Sequence, residues 1–488
     1  MREVATATGR VRGSESLTGV HFWKGIPYAA PPVGLLRWHA PQPVQPWQGT
    51  RDALDFGPDF PQAPNPASRA GRMSEDCLYL NVWAPADAAP GSLPVMLWFH
   101  GGGFVAGSGA DARCDGALLA QRERVVVVTF NYRSGVFGYL AHPMLSRESP
   151  QGVSGNYGLL DQLAVLRWVA DNIAGFGGDP SRVTAFGVSA GSASIALLLT
   201  APAARGLFQR AILHSPGTAR PLATLDEAEA AGAALDPDLD TLRALSADDV
   251  LALTQRLNPT VRSLTGPRVL RPIRDGVVIP EDERPVFLEG RLHRMPLIVG
   301  TNLDEGTFLT RAWPVHTAAD NLALLQANFP RAQEEATALY GPTSDADAKA
   351  GIAAAFADTQ FNYGARLLLR AMTAAGMPCW RYLFTRRRPG RSHGPDHGDE
   401  MGYPFGEIAQ GRTREPEPYD DTDRHVSDAM MSAWAAFAKA ADPNTPSRER
   451  WPRYDATAAG VHLEFGDDIR IGTDALGDRL DFLERYYA

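Results

Sequence analysis

Cysteine is nearly missing from this chain of 488 residues: only Cys77, Cys114 and Cys379 occur, far apart and with no C-x-x-C pair. An odd, sparse set excludes a disulfide framework and predicts free thiols in a reducing compartment. Long apolar runs are missing too. No stretch approaches the roughly 20 residues needed to span a bilayer, and Met1-Arg2-Glu3-Val4 lacks the apolar core of a signal peptide. Positive charge is in deficit: the formal net charge is -9, and the one compact basic run, Arg386-Arg387-Arg388, reads as a solvated loop. That disfavours nucleic acid as a partner. The expectation is a cytoplasmic protein, a monomer or weak homo-oligomer, with no nucleic-acid or membrane partner. Internal repeats and low-complexity linkers are absent as well, which favours one catalytic domain over 1-488 rather than a string of modules.

Present instead are short apolar runs separated by helical stretches. Up to residue 90 the chain alternates such runs with Pro and Gly, as in Gly25 to Gly34, punctuation that admits strands and loops but not helices. Val95 to Phe99 and Val125 to Phe130 are continuously apolar, as strands buried on both faces require. From Gly158 to Asn172 the apolar positions Leu160, Leu163, Leu166 and Val169 recur at helical spacing. Further strands are expected at Arg210 to Leu213, Met295 to Gly300 and Trp380 to Phe384, and late helices near Asp423 to Ala441 and Ala475 to Tyr487. Two Ala- and Leu-rich insertions, about 222–257 and 317–377, read as helical cap or regulatory regions. Strands alternating with helices make an α/β fold with a mostly parallel, doubly wound central sheet. The insertions would cover its carboxyl edge, where such sheets bind ligands.

The chemistry begins at Gly187-Val188-Ser189-Ala190-Gly191, between a β-branched run and a small-residue helix. A serine on so sharp a strand-to-helix turn needs small neighbours, which Gly187 and Gly191 supply. The amide of Ala190 then lies at a helix N-terminus, able to receive an oxyanion.

A serine hydroxyl becomes a nucleophile only when a base takes its proton and a third group orients that base. After a nucleophile elbow the partners follow in the order acid, then histidine. The acid is expected in Gly300 to Gly306, as Asp304 or Glu305, although Asn302 and Glu305 also have the spacing of a helix capping box. The base must be His316, His393, His397, His425 or His462, and His393 and His397 follow an expected strand. Pro395 between those two prevents a metal-binding pair on one helical face, and no H-E-x-x-H occurs, so no metal is expected. Upstream, His100-Gly101-Gly102-Gly103-Phe104 follows a strand and can turn backbone N–H groups inward as an oxyanion hole. The same loop nominally fits a dinucleotide motif through Gly101, Gly103 and Ala106, but the next strand ends in Asn131 instead of the acidic residue that reading wants.

These motifs, with Ser74 to Val82, Asn131-Tyr132-Arg133, Phe176 to Pro180, Asp442-Pro443-Asn444 and Trp451-Pro452, run in an order that resembles the type B carboxylesterase family, its bacterial para-nitrobenzyl esterase-like branch. The resemblance covers almost the whole chain. It implies an α/β-hydrolase fold and no cofactor, with Ser189 as nucleophile, His397 as base and Glu305 as its orienter. Gly102, Gly103 and Ala190 match the oxyanion donors, and Ser215 matches a buried serine that supports the histidine. Glu305 is chosen because the family's acid precedes the glycine of Asp-Glu-Gly, and His397 because of the family's His-x-x-Glu before Phe-Gly, here Glu400 and Phe405-Gly406. Two departures stand out. Val188 replaces the family's glutamate before the nucleophile, which implies an altered pH dependence or substrate preference. Phe60 stands where secreted relatives carry the cysteine that pairs with the equivalent of Cys77.

The reaction so implied is hydrolysis of small-molecule carboxylic esters through an acyl-enzyme, with small to medium acyl groups on bulky or aromatic alcohols. An amidase with the same triad and a catalytically silent interaction protein of the same fold are the competing readings, and silent members lose the serine or the histidine that this chain keeps.

Overall fold

The computed structural model describes residues 2–236, 238–410, 419–445, 450–456, 460–473 and 476–488, without the side chains of 409 and 410. Among these residues thirteen strands join in one sheet: β1 (Arg2–Thr6), β2 (Gly9–Glu15), β3 (Val20–Pro27), β4 (Thr50–Asp52), β5 (Tyr79–Pro85), β6 (Leu93–Phe99), β7 (Val126–Phe130), β8 (Gly178–Val188), β9 (Arg210–His214), β10 (Leu297–Asn302), β11 (Cys379–Phe384), β12 (His462–Phe465) and β13 (Ile469–Gly472). Their order is β1-β2-β3-β5-β7-β6-β8-β9-β10-β11-β12-β13, with β4 beside β2. From β7 through β12 every neighbouring pair is parallel. Antiparallel strands close both edges.

The central strands are apolar throughout because helices cover both faces. Val95, Leu97 and Phe99 of β6 join one core together with Leu163 and Ile195. The alternate residues Met96 and Trp98 join a second core with Trp434 and Phe437. That alternation is the period of two that a pleated strand imposes. Burying each such side chain contributes roughly 1.5–3 kcal/mol, so the two cores together hold the sheet against its helices.

The crossover from β7 to β8 runs through the helix Tyr157–Asn172, where Leu163, Leu166 and Val169 are buried as their spacing predicts and Leu160 is half-buried. Arg133, just after β7, clamps this helix by donating to both oxygens of Asp161 at 2.7 and 2.8 Å, with both side chains buried. After β9 come Leu225–Ala233, Leu239–Ala244 and Ala247–Leu257. Between β10 and β11 come Ala318–Asn328, Gln333–Tyr340, Ala348–Ala357 and Tyr363–Ala374. The last two are joined by one π-helical turn, Asp358–Asn362. All three cysteines are free and buried, with Cys77 in the same core as Phe60. Among the described residues no helix is long and apolar enough to cross a membrane.

Candidate active site

Strand β8 ends at Val188 and a helix starts at Ala190, so Ser189 is the whole turn. Its φ of 55° and ψ of -118° are strained for a residue with a Cβ. The conformation is held by the backbone: the Ser189 N–H donates to His214 O at 2.9 Å, and its carbonyl accepts from Ala193 N at 2.8 Å. The flanking glycines are a steric requirement. A Cβ at Gly187 would lie 2.6 Å from Phe99 O, and one at Gly191 only 2.1 Å from it.

Glu305 lies in the loop after β10 and is buried. Its Oε1 accepts from Ser215 Oγ at 2.5 Å and from the Asn302 N–H at 2.7 Å, while its Oε2 lies 2.5 Å from His397 Nδ1. The capping-box spacing is thus realised differently from a cap: Asn302 belongs to β10, the next helix begins only at Thr307, and the Asn302 side chain donates to Asp396 O and Glu400 Oε2. Asp304 turns instead to the Thr307 N–H at 3.1 Å.

Of the candidate bases only His397 meets this carboxylate. His393 lies against Asp396, His316 and His425 are exposed, and His462 contacts Gly460 O from β12. Burial would lower the His397 pKa, but the Glu305 carboxylate, with lesser help from Glu400 and Asp399, outweighs it and holds the pKa above the usual histidine value. With Nδ1 engaged, His397 Nε2 is a buried nitrogen with no partner among the described residues.

Gly102 and Gly103 adopt φ of 125° and 64°, and a Cβ on Gly102 would fall 2.0 Å from Ala106 O. The bend is anchored by His100, which stacks on Tyr132 at 4.2 Å and bonds Gly101 O through Nδ1 at 2.9 Å. Among the described residues no protein acceptor pairs with the N–H groups of Gly102, Gly103 or Ala190. The dinucleotide alternative fails here. No α-helix opens before Ala117, and Asn131 is turned inward onto Gly109 N and Pro58 O. Ser189, His397, Gly102, Gly103 and Ala190 all line one cavity of about 560 Å³.

A strained serine, a carboxylate-bound imidazole and unpaired amides sharing one cavity invite comparison with known esterases. The model of the Carboxylesterase family matches residues 1–482. The chain belongs to the carboxylesterase family. It is 44% identical over 474 residues to the fumonisin B1 esterase of Sphingopyxis macrogoltabida, covering 96% of this chain and 87% of that protein. It is 36% identical over 473 residues to the para-nitrobenzyl esterase of Bacillus subtilis (strain 168), covering 92% of each. A solved PNB esterase superposes with a TM-score of 0.85 at 35% identity over 99% of both chains. The fold is therefore the α/β-hydrolase fold, and the chain is a carboxylic-ester hydrolase.

Within this carboxylesterase several placements differ from the sequence reading or escaped it. Ser215 reaches the glutamate rather than the histidine, because it follows β9 on the Glu305 side of the ring. Val188, in place of the family's glutamate, is buried against the Gly101 backbone. A different carboxylate, Glu400, lies buried near the imidazole. Burial would raise its pKa, but His214 and then Asn302 outweigh burial and hold it below the usual value. His393 gathers with Asp304 and Asp396, but Arg391 binds Asp396 at 2.6 Å. Phe361, stacked on His397 at 4.4 Å, comes from the π-helical turn, which interrupts a stretch whose composition is uniformly helical. Its only trace in the sequence is an aromatic within an Ala-rich insertion.

Proposed function

We propose that this carboxylesterase works through a Ser189-His397-Glu305 triad and an acyl-enzyme. Ser189 Oγ attacks the ester carbonyl carbon as its proton passes to His397 Nε2. The oxyanion so formed takes hydrogen bonds from the N–H groups of Gly102, Gly103 and Ala190. The imidazolium is stabilised by Glu305, whose Oε1 accepts from Ser215 Oγ and the Asn302 N–H. Collapse breaks the bond to the alcohol, which leaves with the proton from Nε2. Water, deprotonated by the same nitrogen, then attacks the acyl carbon, and Ser189 Oγ leaves with that proton as the carboxylic acid is released.

The observation that carries this reading is the engagement of His397 Nδ1 by buried Glu305 at 2.5 Å, which turns Nε2 into the ring's only free position in a cavity that also holds Ser189. For the substrate, we favour small to medium acyl groups with bulky or aromatic alcohols, supported by a wall of Trp98, Phe104, Phe308, Phe356 and Phe361. We also read 1-488 as one catalytic unit whose insertions act as a cap. Phe356 and Phe361 come from 317–377, and Leu239, Leu242 and Val250 from 222–257 pack in the cluster that holds Phe104. Three buried free thiols support a reducing compartment. The test is labelling with a phosphonate probe and mapping of the modified peptide. Modification at Ser189, lost in Ser189→Ala together with ester turnover, is expected; full turnover by Ser189→Ala would end the proposal.

A further inference from the structure

The charge lining the cavity runs against that of the chain. The protein carries a net charge of -9, yet Arg113, Arg262, Arg268, Arg271 and Arg311 face this space, and among the described residues the only carboxylate lining it is Asp111. Arg113 binds Asp111 at 2.7 Å, and Arg311 is laid on the exposed ring of Phe308 at 3.7 Å. The other three make no ion pair among the described residues, although Glu283 acts on Arg271 from a distance. Arg271 donates to Gly217 O at 3.1 Å and lies over the Phe104 ring at 5.3 Å. Arg268 donates to Gln360 Oε1, which also accepts from Arg220 just behind the wall. Arg220 otherwise reaches only the carbonyls of Ser263 and Gly266, at 3.1 and 3.0 Å.

Every hydrogen-bond partner of these four guanidinium groups among the described residues is neutral, and Arg262 has no hydrogen bond or ion pair there. The Nε atoms of Arg220, Arg268 and Arg271 are buried without an acceptor among the described residues. Burial first, and then the neighbouring arginines, hold Arg268 well below the usual arginine pKa and Arg220 at about 9. The acid behind them, Glu283, is engaged by Thr218 Oγ1 at 2.5 Å and the Ala219 N–H at 3.0 Å, and burial pushes its own pKa up to about 7. Buried cations without counter-charge destabilise a fold, and an anion that binds among them relieves the repulsion. Guanidinium forks suit a carboxylate in particular.

We propose that the substrates of this cavity carry, besides the scissile ester, a free carboxylate that Arg262, Arg268 and Arg271 hold while Ser189 attacks. The inference rests on the esterase reading of the same site and deepens it. It departs from a preference for wholly neutral esters, since the aromatic wall would take the apolar part of the molecule and the arginines its charge.

The test compares kcat/KM for two matched pairs. Mono-4-nitrophenyl glutarate is set against its methyl ester, and 4-carboxyphenyl butyrate against the methyl ester of its benzoate. At least one charged ester is expected to exceed its neutral partner by about tenfold or more at low ionic strength, with the margin shrinking as salt screens the site. Arg262→Gln, at a half-exposed position without hydrogen bonds, should fold normally, and each of Arg262→Gln and Arg268→Gln should cut the ratio by about 10- to 100-fold, the size of a lost charge-assisted bond. Neutral esters turned over as fast as both charged ones, with Ser189 still labelled by phosphonate, would overturn the carboxylate site and leave the esterase mechanism standing. Binding of glutarate to the Ser189→Ala protein, measured calorimetrically, reads the arginine site without turnover. Binding weakened by Arg268→Gln supports the proposal, no binding overturns it, and missing phosphonate labelling of the unmutated protein would count against the triad alone.

Discussion

Replacing Glu305 by glutamine changes one atom in a buried site, and the hydrogen bonds around it dictate the consequence. The Oε1 position accepts from the Asn302 backbone N–H at 2.7 Å, a donor that cannot reverse its polarity. A glutamine amide in the same place must therefore put its oxygen there and its NH2 at the Oε2 position, 2.5 Å from His397 Nδ1. Facing a donor, Nδ1 has to accept, so the ring proton moves to Nε2, the nitrogen proposed to take the proton of Ser189. The wrong tautomer and the missing negative charge act in the same direction. In the serine-protease triad the corresponding amide costs about 10⁴ in kcat, which is about 5.4 kcal/mol of transition-state stabilisation at 1.36 kcal/mol per decade. A loss of that order is expected for Glu305→Gln, measured as pre-steady-state release of 4-nitrophenol with the fold checked by circular dichroism. Retention of activity within tenfold of the parent would refute both the role of Glu305 and the tautomer argument.

The raised His397 pKa also sets the pH profile. In the proposed mechanism His397 acts as a neutral base, so the acid limb of kcat/KM should lie above the ordinary histidine value of 6.5, and a limb below it would contradict the Glu305 pairing. The sign for stability is opposite. The ion pair contributes fully below the unfolded-state pKa, and its contribution is lost as pH rises through the folded one. Asp161→Asn leaves Arg133 buried without its counter-charge and should cost about 3–5 kcal/mol, read from the midpoint and slope of urea unfolding. Gly191→Ala would put a Cβ 2.1 Å from Phe99 O. The strand and helix must then part, for a loss of about 1–3 kcal/mol in stability and about 100-fold in turnover through the displaced serine; an unchanged melting temperature and turnover would contradict this.

Local pattern was sufficient where local forces decide. The runs at Val95 and Val125, the helix over 158–172 and the turn at Ser189 were legible because side-chain period, glycine punctuation and burial on two faces act within a few residues. The order serine, acid, histidine was legible for the same reason, each group following a strand. Which carboxylate faces which histidine was open on spacing alone, and the family resemblance chose Glu305 and His397 before the fold brought them together. Spacing could not decide it, because Asp304 and Glu305 are adjacent and only the donors from Ser215 and Asn302 determine which one turns inward. The capping-box pattern misled in the same place, since the strand reaches Asn302 and claims its backbone.

What the chain's own order determined, then, is the parallel sheet, the positions of its loops and the chemistry available on them. Tertiary structure alone decided that Ser215 supports the glutamate, that Phe361 stacks on the imidazole, and that Arg220, Arg262, Arg268 and Arg271 converge beside Gln360. Those contacts join segments that no periodicity links, and their strength comes from a low-dielectric cavity that exists only once the helices have closed over the sheet.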